Sequence, residues 1–172
     1  MVLIKQADAK DLLDVSILEM QIEKENAASF ETLKKRFKVF PGGFRILQSG
    51  NKILGYLESC RWDLDLENLE HFGQISDFPK HHKDSGKNLY IIFVAVDENY
   101  RRNGIGSALV ENISGYSMKK GLGEMQLVAG EGLIPFYEKL GFRFDRVLPQ
   151  FLPYSTGALM RKKISQRSEN GK

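Results

Sequence analysis

Two short segments carry residue types that could do chemistry. The first is Arg101-Arg102-Asn103-Gly104-Ile105-Gly106-Ser107. It follows the apolar run Leu89 to Val96 and precedes a helical pattern at Ile105, Leu109, Ile113 and Tyr116. Two glycines let a backbone approach a ligand closely. The first turn of the following helix has unpaired N–H groups and the positive end of the helix dipole. Together these make an anion cradle suited to a pyrophosphate. The competing explanation is a basic turn leading into a glycine-rich helix start. A Walker loop is excluded, because no Lys-Ser/Thr follows the last glycine. A dinucleotide fingerprint is disfavoured, because Leu109 stands where its third glycine belongs and seven residues, Asp97 to Asn103, separate strand from helix.

The second segment is Pro135-Phe136-Tyr137-Glu138-Lys139-Leu140-Gly141-Phe142. Phe136 and Leu140 share one helix face, and Tyr137 points about 100° away from Phe136. A hydroxyl there stands beside the core, where it serves either a site or a local hydrogen bond.

The elements that must position these segments follow from hydrophobic spacing. Leu3 to Gln6 reads as a strand, and Asp8 with Asp11 resembles a capping box ahead of a helix with Leu13, Ile17 and Met20 on one face. Phe30, Leu33, Phe37 and Phe40 form a second helical stripe, stopped by Pro41-Gly42-Gly43. Phe44 to Gln48 and Lys52 to Cys60 are expected as a hairpin around Ser49-Gly50-Asn51. The polar stretch Trp62 to Lys87 is expected to be a long loop with a short helix around Leu64, Leu66 and Leu69. Leu89 to Val96 reads as a strand buried on both faces. Met125 to Ala129, Phe142 to Leu148 and Ala158 to Ile164 read as strands, and Leu133 to Leu140 as a short helix. The order predicts an α/β fold with a mixed sheet rather than a purely parallel one.

The chain has 172 residues, of which 42% are apolar, the size of one domain. One domain over 1–164 and a flexible polar tail over 165–172 are expected. The 25 basic and 22 acidic residues leave a net charge of +3, too small to argue for nucleic acid. No apolar run reaches the roughly 18 residues a membrane span needs, and the first residues do not read as a signal peptide. A cytoplasmic protein is expected. A single cysteine, Cys60, leaves no internal disulfide or cysteine-rich metal site, and no metal is expected.

Taken in this order, the two segments resemble the GNAT superfamily of N-acetyltransferases. Arg-x-x-Gly-x-Gly at 101–106 matches the acetyl-CoA loop of that superfamily, and Phe136 to Phe142 its second landmark. Within it, the chain looks like the arylalkylamine (serotonin-type) branch. Val94-Ala95-Val96, Ser107, Leu133 to Tyr137, Trp62-Asp63 and Phe40-Pro41 carry that finer likeness. The resemblance implies a single domain whose mixed, mostly antiparallel sheet splays open at the strand before the loop. It implies acetyl-CoA as co-substrate, its pantetheine arm bonded by the backbone of Val94, Ala95 and Val96. The pyrophosphate would lie on Arg101, Arg102, Asn103, Gly104, Ile105, Gly106 and Ser107. Tyr137 would protonate the departing thiolate, and a backbone N–H near Val96 would stabilise the oxyanion.

The resemblance leaves the base open. The vertebrate-type members of that branch have two histidines on the strand before the loop, and Tyr90 and Ile92 stand at those positions here. Candidates for the catalytic role are Glu58 acting through water, Tyr90, or His81 and His82. Asp63, Asp65, Glu67 and Glu70 could attract a cationic amine, although a solvated acidic loop is the favoured reading. Phe30, Phe40, Trp62, Phe151 and Tyr154 could line an apolar acceptor pocket, although Phe30 and Phe40, at helical spacing, read as core. The expected activity is acetyl transfer to a primary amine by direct attack, the acceptor being a small arylalkylamine, a polyamine or a protein amine. The alternative is a non-catalytic acetyl-CoA-binding regulatory module. Neither nucleic acid nor membrane is expected as a partner, and the chain is expected to be a monomer or homodimer.

Overall fold

The computed structural model describes residues 2–63, 78–151 and 157–164. The expected helix around Leu64, Leu66 and Leu69 and the expected tail 165–172 lie outside these residues. Strand β1 (Val2–Gln6) leads through a tight turn into α1 (Leu12–Glu23). Asp11 fixes the turn: its carboxylate accepts the Asp8 N–H at 2.7 Å and Lys5 Nζ at 2.8 Å. The expected face of α1 is corrected. Leu13, Ile17 and Met20 point outward, at 57%, 46% and 59% exposure, while Leu12, Val15 and Leu18 are buried. The buried face also carries Glu19, which accepts hydrogen bonds from the Tyr56 hydroxyl and from Ala28 N–H at 2.7 Å. Apolar residues occur all round α1, so spacing alone does not choose a face, and the Glu19 anchors do.

Helix α2 (Phe30–Val39) starts at Ser29, whose Oγ accepts the Thr32 N–H, and stops at Pro41. Strands β2 (Arg45–Ser49) and β3 (Lys52–Trp62) form the expected hairpin, with Gly50 at φ +58° in its turn. The chain continues through β4 (Asn88–Val96), α3 (Ile105–Lys119), β5 (Glu124–Ala129), α4 (Ile134–Lys139), β6 (Arg143–Val147) and β7 (Ala158–Lys163).

The seven strands form one sheet in the order β1-β2-β3-β4-β5-β7-β6. Its one parallel pair is β4 with β5, and the other neighbours are antiparallel, as expected for a mixed sheet. One core cluster joins Leu57, Leu89 and Met125 to Leu109 and Ile113 of α3. A second joins Tyr56 and Phe44 to Val15 and Leu18 of α1 and Leu33 of α2. The sheet is therefore covered on both faces, which explains the continuous apolar character of β4.

Candidate functional site

The site begins where β4 leaves β5. Asn88, Leu89 and Tyr90 pair with Glu124, Met125 and Gln126, and the ladder stops there. Beyond it β4 stays paired to β3, through Phe93 opposite Glu58 and Val96 opposite Gly55. A register shift at Glu58/Ser59 leaves Ile92 as an extra residue in β4. Such a bulge bends a strand and increases its twist, which turns the upper half of β4 away from β5. Asp97 N–H donates to Leu54 O at 2.9 Å. Alternation along the antiparallel ladder then directs Ala95 N–H toward β3 and the N–H groups of Val94 and Val96 into the gap.

The gap is a cleft of about 830 Å³. Its walls include Ile91 to Val96, the loop residues Arg101, Arg102 and Gly104 to Ser107, and Tyr137. Gly104 caps α3 at φ +77°, and Arg102 also has a positive φ, of 64°. The first helical bond of α3 runs from Ala108 N–H to Gly104 O, so the N–H groups of Ile105, Gly106 and Ser107 have no partner within the helix. A Cβ on Gly106 would stand 3.3 Å from Phe136 Cζ and 3.8 Å from Val96 Cγ2, which shows how closely the helix start approaches the opposite wall. Asp97 braces the base of the loop: it pairs with Lys52 at 2.8 Å and accepts the Asn99 N–H. The Lys52 ammonium holds its carboxyl below the usual carboxylate range. Arg101 Nε reaches Val96 O at 3.4 Å.

Tyr137 forms part of the facing wall. It is 7% exposed and meets Phe136 and Phe142 edge-on, with ring centroids 4.9 and 5.7 Å away. No described residue hydrogen-bonds to its hydroxyl. Burial pushes its phenol up to about 12, so it stays protonated through the neutral range.

The structure gathers most, but not all, of the sequence-predicted residues here. Val94, Ala95, Val96, Arg101, Arg102, Gly104, Ile105, Gly106, Ser107 and Tyr137 line the cleft. Asn103 lies beside it and donates from Nδ2 to Tyr100 O at 3.2 Å. Tyr90 sits below the opening, buried and stacked on Trp62 at 4.6 Å. Burial drives its phenol far above the usual range. Glu58 is buried away from the cleft walls and pairs with Arg36 at 3.2 Å. Burial outweighs the Arg36 attraction and raises its carboxyl to about 7. His82 is a packed residue: its Nδ1 accepts the Arg61 N–H, its Nε2 meets Asp84 Oδ1 at 3.1 Å, and its ring lies on Phe40.

The expected aromatic acceptor pocket is corrected in part. Phe40 is a core residue, as its helical spacing suggested, and Trp62 and Phe151 are core as well, because their rings fill space between the sheet and its covering segments. Asp63 is taken up by the Lys87 N–H at 2.8 Å. Asp65, Glu67, Glu70 and Tyr154 lie outside the described residues. Sequence reasoning missed Ile22 and Glu23 from the end of α1, Leu127 to Ala129 from β5 with Gly130 just after it, and Lys139.

A family model described as the acetyltransferase (GNAT) family matches residues 10–142. A glucosamine 6-phosphate N-acetyltransferase of Trypanosoma brucei brucei is 46% identical over 50 residues, which is 29% of this chain and 34% of that protein. The uncharacterized N-acetyltransferase YkwB of Bacillus subtilis (strain 168) is 26% identical over 122 residues, 69% of this chain and 53% of that protein. The chain thus spans between about a third and about half of these relatives' length. The loading GNATL domain of CurA from Lyngbya majuscula shares the fold, with a TM-score of 0.82 at 20% identity over 95% of this chain and 98% of that one. With most of its length matched by the family model, and with a sheet that opens between β4 and β5, the chain belongs to the acetyltransferase (GNAT) family.

Proposed function

We propose that this chain is an acetyl-CoA-dependent N-acetyltransferase that moves an acetyl group to a primary amine by direct attack. One observation carries the reading: a single cleft joins unpaired backbone N–H groups, a basic glycine loop and a buried tyrosine. The groups fit the co-substrate. Val94 and Val96 N–H would bond the pantetheine arm as an added strand does. The free N–H groups at the start of α3, with Arg101 and Arg102, would hold the pyrophosphate. A backbone N–H near Val96 would meet negative charge as it develops on the thioester oxygen. Tyr137, protonated at neutral pH, would hand its proton to the sulfur as the C–S bond breaks.

The acceptor reads as a small amine or a protein amine. The relatives above support acetyl transfer to an amine and do not support the narrower arylalkylamine branch. A second reading, a non-catalytic acetyl-CoA-binding module, draws on Tyr90 and Ile92 at the two expected histidine positions and on Glu58 lying off the cleft. Thiol release from acetyl-CoA over a panel of tryptamine, phenethylamine, spermidine and a lysine peptide separates the two. Tyr137→Phe is expected to lower kcat about 100-fold with acetyl-CoA affinity unchanged. Full turnover by that variant would remove Tyr137 from the mechanism. Acetyl-CoA binding by calorimetry without turnover on any amine would favour the second reading.

A further inference from the structure

Among the described residues that line the cleft, one is a carboxylate: Glu23, at the C-terminal end of α1. The other charged residues on the described walls are Arg101, Arg102 and Lys139. Glu23 is half-buried, and no described residue bonds or pairs with it. One turn earlier, Glu19 shows the opposite arrangement. Both of its oxygens are taken, one by Ala28 N–H and one by the Tyr56 hydroxyl. Two like residues four apart on one helix side thus have different tasks. Glu19 fastens α1 to the sheet, and Glu23 faces open space in the cleft.

The backbone holds Glu23 at that edge. Lys24 ends α1 at φ 53° and ψ −118°, a conformation an L-residue rarely adopts. Lys24 N–H closes the last turn on Met20 O. Among the described non-glycine residues only Lys24 and Arg102 have a positive φ. One directly follows Glu23 and the other lies in the glycine loop, so a positive φ stands next to one cleft wall and in another.

We propose that Glu23 receives the acceptor: its carboxylate binds the incoming ammonium and takes the proton that must leave before attack. This rests on the acetyltransferase reading above. An alkylamine is charged at neutral pH, with a pKa near 10, so its lone pair is blocked until a base removes a proton. Glu23 is suited to this, since burial and the nearby Glu19 raise its proton affinity. The charged group beside it is Glu19 on α1; Arg101 and Arg102 on the loop, and Tyr137 and Lys139 on α4, stand on other walls of the same cleft.

The protons balance. One ammonium N–H bond breaks and its proton goes to Glu23. The freed lone pair forms the N–C bond with the thioester carbon, and the C–S bond breaks. The sulfur takes the Tyr137 proton, and Tyr137 regains one from the same nitrogen. Glu23 then passes its proton to water at the cleft mouth. The products are the amide, the CoA thiol and one released proton.

Glu23→Gln keeps the shape and removes the charge. It is expected to lower kcat/KM for the amine about 100-fold, with acetyl-CoA affinity within about twofold of wild type. Its pH profile is expected to follow the amine's own ionisation, with Glu23→Asp restoring part of the rate and of the wild-type profile. A variant with the wild-type kcat/KM and pH profile would overturn the proposal. Calorimetry of phenethylamine and spermidine against the CoA-loaded protein gives a readout that needs no turnover. Wild type is expected to bind at least about tenfold more tightly than Glu23→Gln, the loss of one charged pair in a partly buried site. Equal binding, or no amine binding by wild type, would also overturn it. Absence of wild-type turnover would instead count against the acetyltransferase reading, and the binding comparison would still decide the role of Glu23.

Discussion

Two polar regions meet across β4, and they use the same residue types in different ways. Beneath α1 and α2, Glu19 bonds to Tyr56 and Ala28, and Glu58 pairs with Arg36. These groups are nearly inaccessible and have partners. On the cleft side, Glu23, the Tyr137 hydroxyl and the first N–H groups of α3 have no described partner. A buried polar group without a hydrogen bond costs roughly 1–3 kcal/mol. The paired region therefore fixes where α1, α2 and β3 sit, and the unpaired region is where a ligand has bonds to complete. The two stand next to each other: Glu58 pairs across the ladder with Phe93, and Phe93 lines the cleft.

The largest expected effect lies in the paired region. Burial raises the folded Glu58 carboxyl from its ordinary value near 4.5 to about 7. A native state that binds a proton more tightly than the unfolded chain loses stability as pH rises. The contribution is full below about 4.5 and is lost as the pH passes through about 7. The total is on the order of 3 kcal/mol. Urea unfolding at several pH values between 5 and 8 is expected to show this fall in wild type and a flatter curve in Glu58→Gln. Parallel curves would mean that Arg36 keeps Glu58 ionised, and the paired region would then be a plain ion pair.

These two regions were not equally legible in the sequence. The basic glycine loop and Tyr137 line one cleft, and both were visible in the sequence because each is a short segment whose geometry is set locally by glycine, proline and a helix end. The opening between β4 and β5 was expected from family resemblance and not from composition, since Ile91 to Val96 is as apolar as Leu89 and Tyr90. What opens it is a bulge at Ile92, and that depends on the register against β3. The α1 face was misread for a similar reason: Leu13, Ile17 and Met20 have helical spacing, but the contact between Glu19 and Tyr56 spans 37 positions. Glu58 was named as a base from its strand position, and its Arg36 partner on α2 was invisible to that reasoning. Long-range polar pairs leave no periodic trace.

The next effect sharpens the cleft side. The Gly106 Cβ position lies 3.3 Å from Phe136, tight enough that this ring must give way, and both residues line the cleft. Gly106→Leu adds a side chain where the proposed pyrophosphate site and the helix start would meet. A side chain that blocks close approach to the helix start is expected to weaken acetyl-CoA binding by about tenfold or more, roughly 1.4 kcal/mol. The unfolding midpoint is expected to fall less than for a paired-region variant, because Phe136 is only partly buried. Calorimetry gives the affinity. Unchanged binding would mean that the co-substrate does not pass the α3 start.

The smallest effect tests how the loop holds charge. Arg101 is half-exposed and also reaches toward Glu98 at 3.7 Å. Arg102 is exposed and lines the cleft in its positive-φ conformation. Exposed charge pairs are worth about 0.2–1 kcal/mol, because water and salt screen them. Arg102→Ala is therefore expected to weaken acetyl-CoA binding by no more than about fivefold at low salt. The difference from wild type is expected to shrink as ionic strength rises, while the Gly106→Leu loss stays constant. The contrast separates two ways of binding a pyrophosphate. If backbone N–H groups at the α3 start carry the affinity, removing a guanidinium changes little and the salt slope is shallow. A loss of more than about tenfold in Arg102→Ala, persisting at high salt, would move the recognition from the backbone to that side chain. In that case the positive φ of Arg102 would serve to aim its guanidinium rather than to shape the turn.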